Sequence, residues 1–303
     1  MCIPLQAKPS RNTGFTLIEL SIVLVIIGLI VGGILTGRDL IDAAAQRAQI
    51  AQIEKYQITV HTFQGKYGGL PGDLPDPMAT NFGFQARGTS EGEGDGNGIL
   101  EGPCYTSAYG FSIGSGELAV FWQDLSTARL IDTAITSVFP SPNMLGGPPP
   151  PNITLTSSPA IKDWLPTSKI GSGNYIYLFS LNGLNYFALS SVDTIGCTVQ
   201  SSGNPGLTVQ QAYNIDSKID DGLPQSGNVT ACYVNFDVVN YAAVWAAGSN
   251  LAGAGSNGCQ ATTAATPYAR TNCYDNNNGA GTQRYSLSQN APLQNCALSF
   301  KFQ

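Results

Sequence analysis

Histidine and charged residues are the scarcest components of this 303-residue chain. His61 is the only histidine, which argues against histidine-based metal sites and Ser-His-Asp hydrolysis elsewhere in the chain. Charged residues make up 11% of the sequence, and the 14 basic residues are fewer than the 20 acidic ones. Sequence-independent binding of nucleic acid depends on clustered Lys and Arg, so the composition disfavours that class of function.

The longest hydrophobic run lies near the N-terminus. Residues 1–14 contain Lys8 and Arg11 and no acidic residue, and residues 15–35 are uncharged except for Glu19. Roughly 20 apolar residues in a helix span a bilayer core, so the sequence predicts a transmembrane helix. The run is longer than the apolar core of a cleaved secretory signal. The basic leader favours a cytoplasmic N-terminus, with the rest of the chain outside.

Glu19 is the one charged residue of this hydrophobic run. A carboxylate within a membrane helix costs about 2.5–3.5 kcal/mol on insertion, and less near an interface. Two interpretations follow, and the residues alone leave both open. Glu19 either lies close to the lipid headgroups or pairs with a cationic group in an assembly.

Residues 13–19, with the sequence TGFTLIE, resemble the prepilin cleavage and methylation motif of type IV pilins and type II secretion pseudopilins. Two further stretches, KYGGLPGD at 66–73 and DSKIDDG at 216–222, resemble a branch of prepilin-type proteins. The resemblance implies that a prepilin peptidase cleaves between Gly14 and Phe15 and that the new N-terminus is methylated. Glu19 would then pair with the terminal amine of Phe15 in a neighbouring subunit.

The resemblance also implies an α+β fold, in which a long N-terminal helix packs on an antiparallel sheet. Its parts would be a leader at 1–14, a transmembrane and stalk helix at 15–65, and an exported head at 66–303. The chain would be a structural subunit with no enzymatic activity and no required cofactor. Its partners would be the prepilin peptidase and methyltransferase, other pilin subunits and an inner-membrane assembly platform. The subunit would be single-pass in the inner membrane before assembly, and in an extracellular pilus or a periplasmic pseudopilus afterwards.

Three other functions are weighed against a type IV pilus subunit. A type II secretion pseudopilin stays open, because Thr36 stands where type IVa pilins usually carry Pro. A membrane-anchored enzyme or binding head would need facing carboxylates, which the adjacent Asp220 and Asp221 seldom provide. A DNA-capturing pilin needs a basic head, and acidic residues outnumber basic ones over 66–303.

The remaining secondary structure is predicted from hydrophobic periodicity. Residues 15–65 contain no Pro, and an apolar stripe at Ile53, Tyr56, Val60, Phe63 and Tyr67 predicts packing of that helix on the head. The run of Pro at 146–151 predicts an extended spacer. Further predicted elements are a helix at 116–130, a hairpin at 175–189 with an Asn182–Gly183 turn, a helix at 208–219, and strands at 229–239 and 296–302.

Six of the seven cysteines lie beyond the leader, an even number that fits disulfide bonds in an exported head. The pairing predicted here is Cys197–Cys232, Cys259–Cys273 and Cys104–Cys296.

Two acidic turns are candidate calcium sites, since Ca²⁺ prefers oxygen ligands. The first turn offers Glu93, Asp95, Asn97 and Glu101, a partial match to a calcium-binding loop. The second offers Asp216, Asp220 and Asp221 before Gly222. A solvated Gly-rich turn and a plain helix end are the alternative interpretations. Asp73, which follows Pro71-Gly72, is interpreted as a turn residue.

Overall fold

The computed structural model describes residues 16–88, 92–102, 116–135, 153–154, 161–171, 173–181, 183–195, 202–231, 233–237, 242–246, 273–275, 282–287 and 294–303. Gly14, Phe15 and the spacer at 146–151 lie outside these residues. The chain divides into two compact units, Met1–Ala44 and Ala45–Gln303.

One long helix, α1, runs from Leu17 to Tyr67, close to the predicted bounds. Its 51 residues contain no Pro, which would interrupt the backbone hydrogen bonds. The helix ends before Gly68, whose φ of 85° is the left-handed conformation common at helix C-termini. The amide of Gly68 still donates to the carbonyl of Gln64 at 2.8 Å.

The part of α1 from Leu20 to Leu35, which belongs to the first unit, contains no charged residue. Between residues 17 and 35, its large apolar side chains are 50–87% exposed. In the described part of the chain, α1 is the one helix long and apolar enough to cross a membrane. Such a surface needs lipid or protein around it, because its exposure to water is unfavourable.

In the second unit, the C-terminal part of α1 packs on the head through the predicted stripe. Ile53, Tyr56, Val60 and Phe63 are buried and Tyr67 is half-buried. The ring of Tyr56 lies 4.9 Å from that of Trp122 on a second helix. This stripe therefore forms one wall of the hydrophobic core.

The described part of the head contains three shorter α-helices. They are α2 (Met78–Asn81), α3 (Gly116–Thr127) and α4 (Val209–Ile219). The predicted inward residues of α3, including Phe121 and Trp122, are buried. Helix α4 begins with a capping box, in which Thr208 and Gln211 satisfy each other's backbone amides.

The described strands are β1 (Ile153–Thr154), β2 (Asn174–Leu181), β3 (Leu184–Ile195), β4 (Ser202–Asn204), β5 (Leu207–Thr208), β6 (Val229–Thr230), β7 (Tyr233–Asp237), β8 (Ala242–Ala246), β9 (Tyr274–Asp275), β10 (Arg284–Tyr285), β11 (Gln294–Cys296) and β12 (Leu298–Lys301). Six of these described strands form one antiparallel sheet. In it the long strand β3 pairs with β1, β2, β4 and β12, and β12 pairs in turn with β6. Three further antiparallel pairs, β5–β11, β7–β8 and β9–β10, complete the described strands.

The predicted hairpin is β2–β3, in which Leu181 faces Leu184 across the turn. Gly183 has a φ of 75°, as that turn requires, and Asn182 lies outside the described residues. The fold is therefore the predicted α+β arrangement of a long helix and an antiparallel sheet.

Two predicted strands are each divided in the structure. Val229 and Thr230 pair with β12, whereas 233–237 pairs with β8, so the predicted strand at 229–239 serves two sheets. The predicted strand at 296–302 is divided between β11 and β12 in the same way. Periodicity alone could not locate these breaks, because the apolar pattern continues across them.

The described disulfide joins Cys273 to Cys296, with Cα atoms 4.9 Å apart. The predicted pairs Cys259–Cys273 and Cys104–Cys296 are therefore wrong. Cys296 lies in β11, which pairs with β5, and Cys273 directly precedes β9, which pairs with β10. These two separate strand pairs come together in the fold, which no local pattern predicts. The other four cysteines of the head, Cys104, Cys197, Cys232 and Cys259, lie outside the described residues.

Candidate functional site

Glu19 lies in the first turn of α1 and its carboxylate closes that turn. Oε2 accepts the backbone amide of Thr16 at 2.8 Å and the Thr16 hydroxyl at 2.7 Å. The exposed side chain thus stays at the N-terminal end of the helix, near residue 15. The first turn of a helix favours a carboxylate, because its free backbone amides and the positive end of the helix dipole attract negative charge.

A first acidic cluster, Asp73–Asp95–Glu117, brings together three chain segments. Carboxylate oxygens of these residues lie within 4.8 Å of one another. Asp73 lies in the turn after α1, Asp95 in the loop 92–102, and Glu117 in the first turn of α3. Asp73 and Glu117 are buried and Asp95 is exposed.

Glu117 organises the loop 92–102 through backbone amides. Its Oε1 accepts the amides of Gly94 and Asp95 at 2.9 and 3.3 Å, and its Oε2 accepts the amide of Glu101 at 3.0 Å. Burial and the neighbouring Asp73 raise the pKa of Glu117 to about 9. Glu117 therefore carries a proton at neutral pH.

Asp73 makes matching contacts from the other side of the loop. Its two oxygens accept the amides of Gly96 and Gly98 at 2.7 and 2.9 Å. Burial also raises the pKa of Asp73. Asp73 is thus a turn residue, as predicted, and its carboxylate also stabilises the glycine-rich loop 92–102.

The first predicted calcium turn overlaps this cluster only in part. Asp95 belongs to the cluster, and the Asn97 amide donates to Asp95 and Glu101 at 3.1 Å each. Glu93 is buried. The sequence interpretation missed Glu117, although an acid among the apolar positions of an amphipathic helix was a usable signal.

The second cluster, Asp216–Asp220–Asp221, contains the three predicted residues, with oxygens within 4.8 Å of one another. Asp216 is buried and accepts the Tyr285 hydroxyl at 2.7 Å and the Gly222 amide at 3.2 Å. Burial raises the pKa of Asp216 to about 7.

The other two acids hold the following turn. Asp220 Oδ2 accepts the amides of Asn228 and Val229, and Asp221 Oδ1 accepts the amide of Leu223 at 2.8 Å. Both clusters offer oxygen ligands of the kind that Ca²⁺ prefers. Each cluster also performs a structural task, because its oxygens satisfy backbone amides of irregular segments.

Comparison with known proteins places one segment in a family. Residues 9–35 match the family model for the prokaryotic N-terminal methylation motif, the signature of type IV pilins and pseudopilins. No curated protein and no solved structure matches the chain. The motif and the long helix followed by an antiparallel sheet indicate a pilin-like or pseudopilin-type subunit, and its N-terminal helix fits an inner-membrane-anchored precursor.

Proposed function

We propose that the chain is the precursor of a type IV pilus subunit, which is cleaved after Gly14, methylated at Phe15 and polymerised through its N-terminal helix. The observation that carries this proposal is the methylation motif at 9–35, whose helical part from Leu17 to Leu35 exposes its large apolar side chains. An apolar surface of this length is stable in lipid and in a filament core, and poorly stable in water.

Assembly requires a partner for Glu19. Within the part of the chain that the structure describes, its carboxylate accepts from the local amide and hydroxyl of Thr16. Once surrounded by apolar helices, an unpaired charge would be costly, whereas a charge paired with the amine of Phe15 is tolerated. Glu19 thus both aligns incoming subunits and disfavours an incorrect register.

A pilus is favoured over a pseudopilus because charged residues make up only 11% of the sequence, which suits a head exposed outside the cell. A type II secretion pseudopilin is the second candidate, favoured by Thr36 in place of Pro. Deleting the gene that encodes the chain distinguishes a pilus subunit from a pseudopilin. Loss of surface filaments indicates a pilus, and loss of protein secretion indicates a pseudopilus.

Glu19→Ala tests the pairing role directly. The variant should be cleaved normally but should yield at least about tenfold fewer filaments, because the salt bridge with the neighbouring amine is lost. Glu54→Ala, an exposed acid on the same helix, is the matched control and should assemble normally. Normal filament numbers from Glu19→Ala, counted by electron microscopy, would refute the proposed pairing.

Calcium binding at the two predicted acidic turns, 93–101 and 216–221, stays a prediction. The carboxylate oxygens grouped around Asp95 and those of Asp216, Asp220 and Asp221 support it, and a thermal titration with calcium tests it.

A further inference from the structure

The contact between α1 and the head changes character at residue 53. From Ile53 onward the buried positions are mostly apolar. Before it, in residues 45–52, the head-facing positions are glutamines. We call residues 45–52 the glutamine segment and 53–67 the apolar segment.

Three glutamines, Gln46, Gln49 and Gln52, follow one face of the glutamine segment at a spacing of three residues. Gln46 and Gln49 are buried, and Gln52 is half-buried. Ile50 is the partly buried apolar side chain of this segment that packs against the core. Attachment here therefore depends largely on amide groups.

Each glutamine bonds to the head. Gln46 Oε1 accepts the Asn214 amide at 3.1 Å. Gln49 Oε1 accepts the Ser168 hydroxyl at 3.0 Å and the Lys169 backbone amide at 2.8 Å. Gln52 Nε2 donates to the Thr167 carbonyl at 2.9 Å. These bonds join the helix to the loop 167–169 and to α4.

In Gln49 and Gln52 the network bonds one of the two polar atoms of the side-chain amide. The other atom, Gln49 Nε2 or Gln52 Oε1, is buried and finds no hydrogen-bond partner among the described residues. A buried polar atom without a partner lowers the stability of the state that buries it. Detachment would give both atoms water as a partner, and water would also replace the bonds that are lost.

The apolar segment behaves differently on exposure. Ile53, Val60 and Phe63 are at most 1% exposed, and transferring such side chains to water is unfavourable. The two segments thus differ in the free energy of detachment, although they belong to one continuous helix.

We propose that the glutamine segment is a releasable attachment, which detaches from the head while the apolar segment stays packed. The helix then has two attachment states, a closed one anchored from residue 45 and an open one anchored from residue 53. The open state frees about 12 Å of helix, at 1.5 Å per residue. This inference does not depend on filament assembly.

The test measures distances between spin labels in the full-length protein in detergent micelles. Nitroxides attached to a noncanonical ketone residue leave the cysteines untouched. One pair replaces the exposed Arg47 and Gln210 and reports on the glutamine segment. The second pair replaces the exposed Thr62 and Gln210 and reports on the apolar segment.

Gln49→Ala removes the bonds to Ser168 and Lys169 and should increase the open population by about fivefold or more. A second distance should then dominate for the Arg47 pair, while the Thr62 pair keeps a single distance. Gln57→Ala is the matched control, since Gln57 Nε2 donates to the Lys301 carbonyl from the apolar segment. It should leave the Arg47 pair unchanged.

A variant in the opposite direction separates release from general loosening. In Gln52→Met the unpartnered Oε1 is replaced by an uncharged apolar side chain, and the exposed Thr167 carbonyl can accept water instead. The open population should fall. A single unchanged distance for the Arg47 pair in Gln49→Ala, or an open population that Gln52→Met does not reduce, would overturn the proposal.

Discussion

Arg87 and Asp124 form an ion pair in the interior of the head, where each side chain is 1% exposed. Asp124 Oδ2 also accepts the amide of Gly72 at 2.7 Å, so the pair ties α3 to the turn after α1. Burial raises the pKa of Asp124 and the Arg87 charge opposes that shift. Lys55 and Asp132, in contrast, form an ion pair whose side chains are well exposed.

Arg87→Met should lower the free energy of unfolding by about 3–5 kcal/mol, because it leaves Asp124 buried without its cation. Lys55→Met, the matched control at the exposed pair, should have little effect, since solvent screens that interaction. Denaturant titration of the two variants measures both values. Equal losses in the two variants would contradict the difference in burial.

Glu117 makes the stability of the head depend on pH. Its pKa is raised from an ordinary 4.5 to about 9, so the folded state binds a proton that the unfolded state releases. The stabilisation by that proton is complete below about pH 4.5 and is lost as the pH rises toward 9. Asp216, with a pKa raised to about 7, acts in the same direction over a lower range.

The free energy of unfolding should therefore fall by at least about 2 kcal/mol between pH 5 and pH 9. Glu117→Gln should reduce that slope, because the amide does not titrate. A slope that is identical in the variant would contradict the assignment.

Calcium at either cluster would replace a proton on the carboxylates. Millimolar calcium should therefore raise the melting temperature at pH 8. An unchanged melting temperature would remove both predicted calcium sites.

At the scale of elements, the turn between α1 and the loop 92–102 depends on close backbone approach. Gly72 has a φ of 88°, and a Cβ there would lie 2.4 Å from the Glu117 carbonyl oxygen. Gly83 has a similar φ of 81°, but its Cβ would meet nothing within 4 Å. The two glycines share a left-handed backbone conformation but differ in the room available for an added Cβ atom.

Gly83→Ala should lower stability by about 1–2 kcal/mol, the strain of a left-handed residue. Gly72→Ala should lower it by about 3 kcal/mol or more, because the overlap with the backbone of Glu117 adds to that strain. Thermal unfolding compares the two. Similar losses would show that the turn can move away from α3.

The helices and the hairpin could be predicted because their signals are local. The apolar stripe from Ile53 to Phe63 predicts that α1 packs against the head, and the Asn182–Gly183 turn predicts the β2–β3 hairpin. The breaks within 229–239 and 296–302 depend on which distant strand each half meets, which no local pattern records.

At the scale of the whole molecule, the sites could be predicted only where their residues are close in sequence. Asp216, Asp220 and Asp221 are close in the sequence, so the sequence predicts them as one cluster. Asp73 and Glu117 meet because α3 packs beside the end of α1, and Cys273 meets Cys296 beside paired strands. Both contacts are consequences of the fold, so the sequence alone could not supply them.

The proposed function depends on processing of the N-terminus, which mass spectrometry of the protein from its native membrane measures directly. We expect a chain that lacks residues 1–14 and begins with a methylated Phe15. A chain that retains the leader, or that begins at another residue, would contradict it.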